Sequence, residues 1–107
     1  MAKHKPHYDL PKVQELVNAD QYVMVKSATK TAAQLGFNQA RIKDALLSIR
    51  LSDFSKSEPD WQVKGYWQDA YKPCYEGIHL YIKWKKVEMN GEGLLVLSFK
   101  KNTADDI

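Results

Sequence analysis

The segment from Ile78 to Lys101, IHLYIKWKKVEMNGEGLLVLSFKK, admits few conformations. Ile78, Leu80, Ile82 and Trp84 alternate with His79, Tyr81, Lys83 and Lys85. Such period-two alternation marks a strand with one buried face. Asn90-Gly91 supplies a turn, because both residues tolerate the positive φ of a type I′ hairpin. A two-residue turn there sets Met89 opposite Glu92, Trp84 opposite Leu97, Lys83 opposite Ser98, Ile82 opposite Phe99 and Tyr81 opposite Lys100. Apolar pairs then share one face and polar pairs the other, so the register is self-consistent. A phenol and an ammonium would sit side by side on an open sheet face. A bulge at Gly93 would slip this register by one.

Upstream of Asp53 the punctuation is helical. Asp9 is placed to cap a first helix with Pro11 in its opening turn, and Val13, Leu16 and Val17 form the apolar stripe. That helix should end near residues 18–20. Tyr22 to Val25 is a brief β-prone run. Ser27 is placed to cap a second helix from Ala28 to Leu35, closed by Gly36 at C′. Asn38 caps a third, whose Ile42, Ala45, Leu46 and Ile49 share one face. Residues 53–56 lead into strand territory, and Glu58-Pro59-Asp60 and Lys64-Gly65 read as loop. Tyr66 to Tyr71 alternates again, with Tyr66, Gln68 and Ala70 on one side and Trp67, Asp69 and Tyr71 on the other. Pro73 stops that run, and Glu76-Gly77 turns the chain into the hairpin. Helix signals before Asp53 and strand signals after it argue for the α+β class: an antiparallel-dominated sheet with about three helices packed on one face. The 107 residues make a single domain, 1–107, with an ordered core of about 6–101, a loose basic start over 1–8 and a frayed tail over 102–107.

Sixteen Lys and Arg against thirteen Asp and Glu leave +3, which permits an anionic partner. Cys74 is the one cysteine, so an internal disulfide and a cysteine-based zinc site are excluded and a reducing compartment fits. No apolar run reaches membrane-spanning length, and MAKHKPHYD lacks the apolar core of a signal peptide. A cytoplasmic location without membrane contact is the expectation. His4, His7 and His79 show no metal-ligand spacing and no acidic cluster accompanies them, so neither metal nor cofactor is expected. Gly91-Glu92-Gly93 is followed by no helix and is a turn, not a phosphate loop.

The outward polar residues of the strands are Lys56, Gln68, His79, Tyr81, Lys83 and Lys100. With helices on one side of the sheet, these lie on the other. Lysines answer phosphate charge, and aromatic rings stack on unpaired bases, which is what single-stranded RNA binding requires. Alternating lysines also serve simply to solvate a sheet face. Trp67 and Trp84 are assigned to the core, while Trp61, in a loop, suits either core or stacking.

These residues also carry a resemblance. Pro6-His7, Leu16-Val17-Asn18-Ala19, Ser27-Ala28, Leu35-Gly36, Asp53-Phe54 with Lys56-Ser57, Trp67-Gln68-Asp69 with Tyr71 and Pro73, Tyr81 with Lys83, and Ser98-Phe99-Lys100 occur in an order that resembles the MqsR family. That family comprises toxins of bacterial type II toxin–antitoxin pairs, and the match covers about residues 6–101. The resemblance implies a fold similar to the RelE and YoeB toxins. It implies a metal-independent, ribosome-independent endoribonuclease, an mRNA interferase that cleaves single-stranded mRNA at GC-containing sites and arrests growth. It implies a cognate antitoxin encoded by the adjacent gene, with a zinc-binding N-terminal part and a DNA-binding C-terminal part. The family's activity residues match Lys56, Gln68, Tyr81 and Lys100. The chain departs from the family in a longer connection over 85–93 and in the extra tail after Lys101.

Metal-free RNA cleavage uses the substrate's own 2′-hydroxyl as nucleophile. The resemblance together with the chemistry assigns Lys56 and Lys100 to the scissile phosphate and Gln68 to orienting it. Tyr81 is left for proton transfer or positioning, although an unperturbed phenol, with a pKa of about 10, is a poor base at neutral pH unless a cation favours its anion. A lysine depressed by a like-charged neighbour is the alternative base, and His79, on the same strand face as Tyr81, is a third candidate by chemistry to which the resemblance does not point. Lys83 and His79 are expected to contact RNA. A non-catalytic RNA- or protein-binding module could use the same face.

Overall fold

The hairpin is the spine of the sheet. In the computed structural model, which describes residues 4–103, the elements run α1 (Leu10–Asn18), β1 (Tyr22–Met24), α2 (Lys26–Gln34), α3 (Gln39–Ser48), a 3-10 turn (Leu51–Asp53), β2 (Phe54–Pro59), β3 (Trp67–Tyr71), β4 (Cys74–Tyr75), β5 (Ile78–Glu88) and β6 (Glu92–Lys101). The sheet order is β1-β6-β5-β3-β2, with β4 paired only to β5. Every pairing is antiparallel except β1 with β6. The α+β expectation is met, with three helices on one face.

That face buries Tyr71, Leu80, Ile82, Trp84, Leu94, Val96 and Phe99 against Val13 and Val17 of α1, Ala28 and Ala32 of α2, and Ile42, Ala45 and Leu46 of α3. Helices of nine or ten residues are marginal alone in water, so this contact is what keeps them folded. Gln14 of α1 donates to the carbonyls of Leu47 and Ile49 at 3.1 and 2.8 Å, satisfying the C-terminal end of α3. Asn38 caps α3 as expected, its side chain accepting from Arg41 N at 2.9 Å. The end of α2 is a Schellman motif. Gly36, at φ 85°, donates to Ala33 O, and Phe37 N reaches Ala32 O.

Several expectations are corrected. Helix α2 begins at Lys26 with Val25 as its N-cap, and Ser27 makes no capping bond. Val25 N donates to Val96 O at 3.0 Å, which holds it in extended backbone until the helix starts. Glu58 and Pro59 belong to β2 and not to a loop. Because β2 is an edge strand, a proline at its end removes no ladder bond the sheet needs. The basic N-terminal stretch is tied down at its far end: His7 N and Tyr8 N donate to the buried carboxylate of Asp69 at 3.2 and 2.9 Å. The Tyr8 hydroxyl bridges the amide and carbonyl of Trp67. The expected fraying over 102–107 falls partly outside the described residues; Asn102 N still donates to His79 O at 2.8 Å.

The hairpin register is half as expected. Tyr81 faces Lys100, Ile82 faces Phe99 and Lys83 faces Ser98. Beyond a bulge at Leu97 the pairs become Trp84 with Val96, Lys85 with Leu95, Val87 with Gly93, and Glu88 with Glu92. The turn therefore has three residues, Met89 to Gly91, with Asn90 and Gly91 at φ 49° and 107° and Gly91 N donating to the Glu88 carboxylate. Gly93 stays in the ladder. A Cβ there would lie 2.3 Å from Met89 Sδ, so the glycine admits the Met89 side chain.

Candidate active site

The open face takes its residues from four adjacent strands. One row across it reads Lys56, Ala70, Lys83, Ser98, each directly paired with the next. With strands about 4.8 Å apart, the Cα atoms of Lys56 and Lys83 are separated by about 10 Å, and only a methyl group stands between them. Ala70 is nevertheless buried. Lys56 and Lys83 flank it in the pairing, one on each neighbouring strand. Along β5 from Lys83, the Tyr81–Lys100 pair comes next on the same face, with Lys100 Nζ 5.4 Å from the Tyr81 ring centroid. Tyr81, Lys83 and Lys100 are each half-buried. The Leu97 bulge falls between Ser98 and Val96, immediately beside this row, a place where a bulge re-aims side chains.

The other expected site residues are Lys56, Gln68 and His79. Lys56 Nζ lies 3.2 Å from Glu58 Oε1, two residues on along the same face, with both side chains about half exposed. An exposed pair like this is weak and easily exchanged for a phosphate. Gln68 Nε2 donates to Asp60 Oδ1 at 2.8 Å. His79 is exposed and sits at the margin, opposite Cys74 in the short β4–β5 ladder, away from the Lys56–Lys83 row. Structure thus brings Lys56, Gln68, Tyr81, Lys83 and Lys100 onto one surface and leaves His79 at its edge. Trp84 is in the core as expected, and Trp67 is half-buried and stacked on His7 at 5.2 Å between centroids. Trp61 is 85% exposed, which removes it from the core.

Two residues that sequence reasoning passed over complete the face. Asp60, read as loop, turns its carboxylate inward, where Oδ2 accepts from Lys85 Nζ at 2.9 Å. The side chains are 1% and 10% exposed. Hydrogen bonding to Lys85 holds the Asp60 carboxyl below its ordinary range despite the opposing effect of burial, and the Gln68 bond adds to the shift. The one sequence signal was Lys85 itself, the fourth outward position of the alternating strand.

The covered face is chemically different. Burial pushes the Tyr71 hydroxyl well above the usual phenol range, with the Asp69 charge adding to it. Tyr71 is therefore a neutral packing residue. Among the described residues no group of three or more His, Cys, Asp or Glu gathers as a metal site. No described helix is long and apolar enough to cross a membrane.

A family model described as "Motility quorum-sensing regulator, toxin of MqsA" matches residues 5–101. The chain belongs to the MqsR toxin family. The mRNA interferase toxin MqsR of Escherichia coli (strain K12) is 32% identical over 101 residues, covering 94% of this chain and 99% of that protein. The MqsR match spans every strand of the open face, from Lys56 on β2 to Lys100 on β6.

Proposed function

We propose that the open face is the catalytic surface of an endoribonuclease toxin that cleaves single-stranded mRNA at GC-containing sites, without metal or ribosome. The observation that carries this reading is the convergence of Lys56, Gln68, Tyr81, Lys83 and Lys100 from four adjacent strands onto one face around Ala70. In the reaction the 2′-hydroxyl oxygen attacks the adjacent phosphorus and gives up its proton. The bond from phosphorus to the 5′-oxygen breaks, and that oxygen takes a proton as it leaves. Products are a 2′,3′-cyclic phosphate and a 5′-hydroxyl. Lys56 and Lys100 neutralise charge on the non-bridging oxygens, because fixed donors aimed at developing charge stabilise the transition state most. Gln68 orients the attacked ribose–phosphate unit. Tyr81, beside the Lys100 ammonium, serves proton transfer. Lys83 holds the neighbouring phosphate, and His79 lies where the strand would leave the face.

The deciding experiment incubates purified protein with RNA in EDTA and identifies the product ends. Cyclic phosphate and 5′-hydroxyl ends support the reading. Retention of intact RNA would make this face a binding module instead. In the cell the chain acts in the cytoplasm. Its expression alone stops bacterial growth, and co-expression of the adjacent gene's product, an antitoxin with zinc-binding and DNA-binding parts, restores it. Normal growth with verified soluble toxin would count against the proposal.

A further inference from the structure

Asp60 touches both Gln68 and Lys85, and the two contacts are not chemically equivalent. Lys85 Nζ can only donate, at 2.9 Å to one carboxylate oxygen. The other oxygen receives Gln68 Nε2 at 2.8 Å. An ionised carboxylate only accepts, so of the two ends of the Gln68 amide only the NH2 can face it. Turning the amide over would press Oε1 against an anionic oxygen inside a site where Asp60 is 1% exposed. Little water reaches the pair to screen that repulsion.

We infer that Asp60 is a positioning residue, which locks the Gln68 amide with its carbonyl oxygen turned away from Asp60, as an acceptor for the ribose 2′-hydroxyl of the substrate. This rests on the catalytic reading of Gln68 and sharpens it. A carbonyl oxygen repels a phosphate but accepts from a hydroxyl. Gln68 then aligns the nucleophile while the lysines hold the phosphate. The loop that carries Asp60 is itself closed, with Asp60 N donating to Tyr66 O at 2.8 Å and Tyr66 N to Val63 O at 3.1 Å. The carboxylate is thus presented from a fixed backbone.

The lock makes Asp60→Asn unusually informative. Lys85 still donates, so it selects the Asn Oδ1. The Asn NH2 is then left facing Gln68, and it accepts nothing. Gln68 must present Oε1 to it, which inverts the amide. The variant is isosteric and keeps both hydrogen bonds while reversing the polarity offered to substrate; because it also takes the counter-charge from buried Lys85, its unfolding free energy is measured beside its rate. Single-turnover cleavage of a single-stranded RNA oligonucleotide should fall about 10- to 100-fold, the scale of a misdirected catalytic group. Affinity for the same oligonucleotide carrying a 2′-deoxy nucleotide at the cleaved position should stay within about twofold, because the phosphate contacts are untouched. Asp60→Glu, which restores an anionic acceptor, should recover most of the rate. The wild type supplies a measurement that needs no variant to fold: the Gln68 side-chain amide proton bonded to the Asp60 carboxylate should be shifted from its free-amide position in the NMR spectrum and slow to exchange with water. Free-amide shifts with fast exchange for both protons would overturn the lock. So would Asp60→Asn cleaving at the wild-type rate while Gln68→Ala is inactive, or equal losses of rate and affinity in Asn and Glu variants alike. Full activity in Gln68→Ala would instead remove Gln68 from the site, and the proposed function would need revision before Asp60 is considered.

Discussion

The two faces of the same strands obey opposite rules. On the covered face Ile82, Trp84, Val96 and Phe99 are fully buried, and the helices lie on them. On the open face, one residue along in each case, Tyr81, Lys83 and Lys100 keep contact with water. Each face also buries charge. The covered face holds the buried carboxylate of Asp69, satisfied by the backbone amides of His7 and Tyr8. The open face holds the buried pair of Asp60 and Lys85. The first fastens the N-terminal segment to the sheet, and the second fixes a side chain among the catalytic candidates. A buried charge therefore marks a point where something must be held in one place, whichever face it lies on. Breaking such a pair usually costs more than the pair contributes.

If the faces are functionally separate, variants should lose stability or activity but not both. Phe99→Ala should cost about 3–5 kcal/mol of unfolding free energy, as a large ring removed from a packed core. Denaturant unfolding checks this, and a loss below ~1 kcal/mol would mean the core can collapse onto the gap. Lys56→Ala should slow cleavage roughly 10²- to 10³-fold, equivalent to about 3–4 kcal/mol of transition-state stabilisation. Its unfolding free energy should change by no more than about 0.5 kcal/mol, the usual effect of a surface substitution. Comparable damage to stability would erase the distinction between the faces.

The Tyr81–Lys100 pair sharpens the comparison within the open face. Tyr81→Phe and Lys100→Met should each slow cleavage strongly, and the double variant should be little worse than the slower single. Residues acting as a unit show coupling of about 0.5–3 kcal/mol in such a cycle. Full activity in Tyr81→Phe removes the phenol from proton transfer, and strict additivity removes the cooperation. The smallest effect belongs to Lys83. Its replacement by Ala should reduce the slope of log affinity against log salt by about 0.7, one phosphate's worth on a single strand. An unchanged slope takes Lys83 off the RNA path.

What could be read from the sequence follows from how local each signal is. Alternation along residues 78–85 places Tyr81 and Lys83 on the polar face with no knowledge of the rest of the chain. Alternation around Gln68 and Ala70 does the same for β3. Their meeting with Lys100 required only the turn, and the pairing near Tyr81 is as expected. The tip is different because a three-residue loop replaces the two-residue one, and nothing between Val87 and Gly93 distinguishes those lengths by pattern. Asp60 was invisible for another reason. Its partner Lys85 lies 25 residues away, and only the folded loop brings them together. Ser27 looked like a cap because its chemistry suits one, but the tertiary bond from Val25 to Val96 moved the helix start.

The bulge at Leu97 has an evolutionary corollary. An extra residue in the β5–β6 turn would ordinarily shift every pair down the ribbon and send alternate side chains to the wrong side. Here the surplus is discharged at Leu97, before it reaches Ser98 and Lys83. The tip from Trp84 to Val96 is thereby insulated from the working half of the hairpin. Lineages can lengthen, shorten or decorate that loop, and engineers can graft onto Asn90, while Tyr81 and Lys100 remain face to face.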